Sequence, residues 1–304
     1  MLRRLFLATA SAAALVFAAG SGWAADVTLK IAHVAPPQAQ FQINSEIFGK
    51  HLRQLSGGTM DVDIVPGGAL GNLVQLWAQL KKGSLDMHVI DIGAILAMKD
   101  ARLFFIVTMP YLFKDQAHLH RFLDSDVFAG MNAKVEKATA IHFISPLGDR
   151  PPRALSTRKT KVMTPADMKG MKIRTPLNPA ITEVFKAWGT SPTPVKGSEL
   201  YQSLQSGLVD GQENGIDAVV QAGLTEVQKY FMKTNYIHSA IGLWMSGKRW
   251  NSLSAQQQGW VSAAAKAANA DARKSFPGDV KKMFAEAKAK GMTIVDPDIA
   301  AFKA

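Results

Sequence analysis

Residues 27–68 read VTLKIAHVAPPQAQFQINSEIFGKHLRQLSGGTMDVDIVPGG, and this stretch decides the fold class. Val27 to Ile31 alternates apolar and polar residues with period two, which reads as an edge-forming first strand. Pro36-Pro37 breaks it. From Phe41 to Leu55 the apolar residues Phe41, Ile43, Ile47, Phe48, Leu52 and Leu55 lie close to helical spacing, and Gly57-Gly58 stops the helix. Met60 to Val65 predicts a second strand, ended by Pro66-Gly67-Gly68. Leu73 to Lys82 then predicts a helix closed by Gly83, and Met87 to Ile90 a third strand. Strand, helix, strand, helix, strand in about 70 residues is the signature of an open α/β sheet.

Working outward, Leu103 to Phe113 reads as a packed loop, Asp115 to Ala138 as mostly helix, and Ala140 to Ile144 as a strand. A second α/β block follows: Lys172-Ile173-Arg174 as a strand end, Asn178 to Trp188 and Ser198 to Ser206 as helices, and Asp210 to Asn214 as a strand-to-loop exit. Ser254 with Gln257 has the form of a capping box, and the Ala-rich run to about Lys274 predicts a long helix ended before Pro277. Its thin side chains suit a helix laid against both blocks. Two α/β blocks of similar size predict two lobes with a cleft between them.

At the other end, Met1 to Ala24 carries Arg3-Arg4, an apolar run from Leu5 to Ala19, and the small residues Gly22 and Ala24 where a cleavage site needs them. This is the pattern of a secretory signal peptide, and the run is shorter than the roughly 20 residues that span a bilayer. Arg3-Arg4 fits both the general and the twin-arginine export routes. Cleavage would leave a mature chain starting at Ala25 in the periplasm.

Composition agrees with an exported globular protein. The chain has 304 residues, no Cys, and 47% hydrophobic against 19% charged residues. Those values exclude a disordered chain, a disulfide-stapled miniprotein and a cysteine-ligated metal domain. Without Cys, noncovalent packing alone must stabilise the fold in an oxidising compartment. The net charge is +11, and losing Arg3 and Arg4 leaves 33 bases against 24 acids, or +9. The basic residues are dispersed, with Lys161, Lys169 and Lys172 in one area and Lys281, Lys282, Lys288 and Lys290 in another. Nucleic acid, which wants a basic stripe interleaved with aromatics, is therefore not the expected partner.

Motifs for chemistry are missing from the sequence: there is no G-x-S-x-G, H-E-x-x-H, Walker A or G-x-G-x-x-G. His118 and His120, two apart on a helix, would point to different faces and read as solvated rather than metal-binding. Gly67, Gly68 and Gly71 read as a strand-to-helix turn rather than a phosphate cradle. Trp244, Trp250 and Trp260 read as core anchors. No catalytic residue, metal or cofactor is expected.

Pro165-Ala166-Asp167-Met168-Lys169-Gly170-Met171-Lys172-Ile173-Arg174 resembles the P-x-D-L-K-G-L-K-I-R signature of the solute-binding proteins of TRAP transporters, the DctP-like family. Further segments agree in order: Pro66 to Gly71 with Gly83-Ser84-Leu85-Asp86, then Pro110-Tyr111-Leu112-Phe113, Glu199-Leu200-Tyr201 and Val209-Asp210-Gly211-Gln212-Glu213-Asn214. The resemblance implies a two-lobed α/β periplasmic binding protein that closes around an organic acid and delivers it to a sodium-coupled membrane permease. It matches the family's carboxylate-clamping arginine to Arg174, a second arginine to Arg153, with Arg150 and Arg158 nearby as alternatives, and an asparagine to Asn214. Arg suits that task because its planar fork binds a carboxylate bidentately and keeps its charge on desolvation. Asn214 can donate to a carboxylate and accept from a hydroxyl.

The residues themselves add Asp91, after the third strand, and Gln40 and Phe41, after the first, at the expected cleft edge. A polar cleft with Asp91, Gln40 and Asn214 would fit a sugar acid or hydroxy acid. An aromatic acid would use Phe41 or Trp244. The sequence departs from the family pattern at Pro151, Gln75 and Val195-Lys196-Gly197-Ser198, which bears on substrate class. The lobes are expected to comprise residues 25–150 with about 239–276, and residues 151–238 with about 277–304, in a monomer. Two rivals remain on sequence grounds: a binding protein feeding a sensor kinase, and a periplasmic enzyme acting on small acids.

Overall fold

The structure is a computed structural model and describes residues 25–304, so the expected signal peptide at 1–24 lies outside the described residues. The first half runs β1 (Val27–Ala32), α1 (Gln40–Leu55), β2 (Met60–Val65), α2 (Leu73–Lys82) and β3 (Met87–Asp91), with α3 (Gln116–Leu123), α4 (Asp126–Thr139) and β4 (Ile141–Thr157) after it. The second half contains β5 (Lys172–Thr175), α5 (Pro179–Ala187), β6 (Ser191–Pro194), α6 (Leu200–Gln205), β7 (Gly211–Asn214), α7 (Ile216–Gln221) and β8 (Tyr230–Ser246). The chain ends with α8 (Gly247–Ser252), α9 (Ala255–Ala289), β9 (Thr293–Val295) and α10 (Ile299–Lys303). Among these residues no helix is long and apolar enough to cross a membrane.

Local chemistry explains the boundaries that the sequence predicts well. Asn72 accepts from the Val74 and Gln75 amides while the Gln75 side chain returns to the Asn72 amide, so α2 starts there. Gly83, at φ 79°, ends it in the left-handed conformation that costs glycine nothing. Gln75, a departure from the family pattern, is thus occupied as a cap.

The two α/β blocks share one continuous sheet in the order β2-β1-β3-β8-β4-β7-β5-β6, with β9 beside β8. β1 lies parallel between β2 and β3 and is not an edge strand; Leu29 and Ile31 are buried on one face and Ala32 on the other, where Thr28 and Lys30 remain exposed. The 17-residue strands β4 and β8 pair antiparallel from Ile141 with Ser246 to Thr157 with Tyr230, and so run through both halves. One half is covered by a cluster including Trp77, Phe104, Phe128 and Trp244 on one face and another including Leu29, Phe48, Leu243 and Val261 on the other. The other half is packed by Leu204, Val219 and Phe231 on one face and by Ile173, Phe185 and Tyr236 on the other.

Several expectations change. The segment at 103–113 is helical in part, a 3-10 stretch from Lys99 to Thr108. Asp115 to Ala138 is two helices, because Ser125 caps the Phe128 amide and restarts the chain. The strand expected at Ala140–Ile144 continues to Thr157, and the ladder is irregular where Pro146, Gly148, Pro151 and Pro152 cannot all serve it. Helix α9 runs through Pro277 to Ala289: Val261, Ala264 and Ala268 pack on one sheet half and Met283, Phe284 and Ala287 on the other, which outweighs the one lost helical hydrogen bond. His120 is only partly exposed and hydrogen-bonds the buried Asp149 at 2.7 Å.

Candidate functional site

Strands β4, β7 and β5 are neighbours, and they carry Arg153, Asn214 and Arg174. Arg174 aligns with Gln212 of β7 and Thr193 of β6, one residue before the carboxyl end of its strand. Ile173 enters the core, so alternation turns Arg174 to the opposite face. There its side chain is buried, 3% exposed, and both Nε and Nη2 donate to the Val195 carbonyl at 2.9 and 2.7 Å. It forms no salt bridge among the described residues, and its Nη1 makes no hydrogen bond there. Burial pulls its pKa down to about 10, with only partial relief from the more distant Glu213.

Arg153 is held differently. Its Nε and Nη2 grip both oxygens of the fully buried Glu213, at 2.7 and 2.5 Å, and Tyr236 donates its hydroxyl to the same carboxylate at 2.5 Å. Burial opposes the charge on Arg153, but Glu213 outweighs it and raises the pKa. Burial, then Glu213, push the Tyr236 phenol well up, so it stays a donor. Asn214 ends β7, half-buried, and its amide donates to the Gln212 side chain at 3.2 Å.

A third guanidinium joins them, that of Arg150, which the sequence offers beside Arg153 as an alternative for the second arginine. Arg150 donates from Nη1 to Asp91 at 2.8 Å and from Nε and Nη2 to Asp217 at 3.0 and 2.8 Å. Burial disfavours its charge, but Asp217 and Asp91 more than compensate and raise its pKa. Asp91 also accepts from Ser239 and from the Gly93 amide, both at 2.8 Å. Burial pushes the Asp91 carboxyl up, but Arg150 and then Arg153 hold it below its usual range. In a regular strand, residues three apart face opposite ways. The register shift between Arg150 and Arg153 removes that alternation and lets both arginines act on Asp91.

Phe41 lies 5.5 Å from the Arg150 guanidinium carbon, within cation–π reach, and 6.2 Å from the His33 ring. Gln40 opens α1 and its side chain hydrogen-bonds Asn44 at 3.3 Å, with no tie to the other five candidates. The fold thus joins Phe41 and Asp91 through Arg150, and sets Arg153, Asn214 and Arg174 on adjacent strands. Trp244, by contrast, is fully buried against Trp77, Phe104 and Phe143, and lines no cleft. Sequence reading missed Glu213, Asp217, Tyr236 and Ser239, and preferred Arg153 to its neighbour Arg150. Glu213 sits inside the D-G-Q-E-N motif, the one signal that could have found any of them.

Such a site offers an unspent cation and fixed hydrogen-bonding groups, which suit it to holding an anion. The comparisons with known proteins agree. Residues 31–304 match the family described as bacterial extracellular solute-binding protein, family 7. A solute-binding protein of Roseobacter denitrificans is 31% identical over 287 residues, covering 94% of this chain and 87% of the relative. The 2,3-diketo-L-gulonate-binding periplasmic protein YiaO of Escherichia coli is 29% identical over 262 residues, covering 86% and 78%. Among solved structures, a TRAP periplasmic solute binding protein from Roseobacter denitrificans with bound L-galactonate superposes with TM-score 0.84 at 30% identity, covering 91% of each chain. One from Polaromonas bound to D-erythronate gives 0.84 at 25% identity, covering 91% of this chain and 90% of the other. Those neighbours are two-lobed α/β binding proteins that carry ligands.

Proposed function

Since the chain belongs to the family 7 bacterial extracellular solute-binding proteins, we propose that it is the periplasmic receptor of a TRAP transporter, capturing a small hydroxylated organic acid and passing it to a sodium-coupled permease. One observation carries the ligand class: Arg174 is buried with a carbonyl for company and no carboxylate. A buried guanidinium costs free energy unless an anion completes it, so the site is built for one to arrive. The ligand carboxylate would lie on Arg174, with Arg153 and Asn214 beside it. Asp91, Gln40 and Phe41 would meet the rest of the molecule from the other lobe. Closure is driven only by contacts that the open form lacks, so both lobes must supply some. We take residues 25–150 with about 239–276 as one lobe and the remainder from 151 as the other, after removal of a signal at 1–24. Sugar acids are favoured as cargo because the ligands named for the similar structures are of that kind.

The test is titration calorimetry of the mature protein against a panel of sugar and hydroxy acids. Wild type should bind at least one, and Arg174→Ala should lose detectable binding of that acid while keeping a native circular-dichroism spectrum. Near wild-type affinity in a folded Arg174→Ala protein would refute the assignment.

A further inference from the structure

Charge bookkeeping around the cleft says more about the cargo than its carboxylate. Three guanidiniums and three carboxylates are drawn together across β3, β4, β5, β7 and α7. Arg153 is matched by Glu213. Arg150 is shared between Asp91 and Asp217, so that trio keeps one negative charge in excess. Arg174 has no acid. The ensemble therefore offers one positive charge at one end and a surplus negative charge at the other.

The two ends are well apart. On β8 the partners are Ile237 for Arg153, Ser239 for Arg150 and Ile241 for Asp91. Four residues at about 3.4 Å each separate the levels of Arg153 and Asp91 by roughly 14 Å of backbone, and Arg174, level with Gln212 and through it with Ser156 and Phe231, lies beyond Arg153 from Asp91, so the free cation and the surplus acid stand at opposite ends of the site. At the acidic end, the unspent hydrogen-bonding capacity is all acceptor. Asp91 Oδ1 has taken one donor, the Gly93 amide, and Asp217 Oδ1 accepts none among the described residues although it is buried. A hydroxyl can donate to the Asp91 carboxylate, the less buried of the two, whereas a second carboxylate would bring charge of the same sign into a site with little water to screen it.

We infer that the site selects singly charged acids with a hydroxylated far end and discriminates against the corresponding diacids. This rests on the carboxylate-receptor reading above. The experiment measures Kd for three matched pairs that differ only in oxidation of the terminal carbon: galactonate and galactarate, gluconate and glucarate, erythronate and meso-tartrate. The monoacid of a pair that binds should be at least tenfold tighter than its diacid, about 1.4 kcal/mol. Asp217→Asn, which removes the surplus charge at nearly constant shape, should narrow that ratio. A diacid binding as tightly as its monoacid overturns the inference while leaving the receptor reading intact. An unchanged ratio in a folded Asp217→Asn protein also overturns it, by assigning the selectivity to shape. No binding by any of the six acids overturns the receptor reading and the inference with it. The wild-type ratio decides the matter even if the variant does not fold.

Discussion

At Arg174 the interests of folding and binding conflict. A pKa drawn from 12.5 to about 10 by burial means that keeping the charge at neutral pH costs on the order of 3 kcal/mol, offset in part by the Val195 carbonyl. Arg174→Met should therefore raise the melting temperature of the ligand-free protein by about 1 kcal/mol worth of stability, yet abolish the rise that ligand produces in wild type. A lower ligand-free melting temperature would show that the guanidinium stabilises the fold. His88 makes a second case. Its Nδ1 donates to the Ala32 carbonyl at 2.8 Å, its Nε2 is sealed without a partner, and burial draws its pKa down to about 4. Because the unfolded chain binds this proton from about pH 6.5, it holds more protons than the native state between pH 6.5 and 4. Stability from this group is then complete above 6.5 and falls as pH drops to 4, by on the order of 3 kcal/mol. His88→Asn, which can still donate to Ala32, should flatten that fall in urea denaturation across the same window.

Among elements, β4 decides most about the site, and it is the one least readable in the sequence. Its three prolines and one glycine look like an exit from strand structure. The partners β8 and β7 hold it as a strand nonetheless, at the cost of register shifts that aim Arg150 and Arg153 together. The helices α1, α2 and α5 were legible because caps and apolar spacing are local; the pairing of β4 with β8 spans 73 residues or more between Thr157 and Tyr230 and leaves no local trace. The turn from β7 into α7 is equally constrained. A Cβ at Gly215 would collide with Asp217 Oδ1 and come within 2.7 Å of the Pro151 carbonyl. Gly215→Ala should cost about 1–3 kcal/mol in chemical denaturation and, by displacing Asp217 from Arg150, disturb ligand affinity as well. Unchanged stability would mean that α7 can shift freely against β4.

For the whole molecule, the long strands β4 and β8 and the 35-residue α9, about 52 Å of helix, are what the two sheet halves share. Closure about such connections should make the radius of gyration in solution scattering fall when a bound acid is added to wild type, and leave it unchanged in Arg174→Ala. A wild-type curve insensitive to a ligand that calorimetry shows to bind would rule out lobe closure. The sequence by itself determined the alternation of strands and helices, the caps of α2 and α9, and the K-I-R and D-G-Q-E-N segments that carry Arg174 and Asn214, since each depends on neighbours a few residues apart. Only the tertiary structure decided which arginine is free. Arg150, Arg153 and Arg174 are alike as residues, and what separates them is a carboxylate 60 residues away for Arg153, two at 59 and 67 for Arg150, and none for Arg174. Charge is a property of the residue, but whether it is spent is a property of the fold.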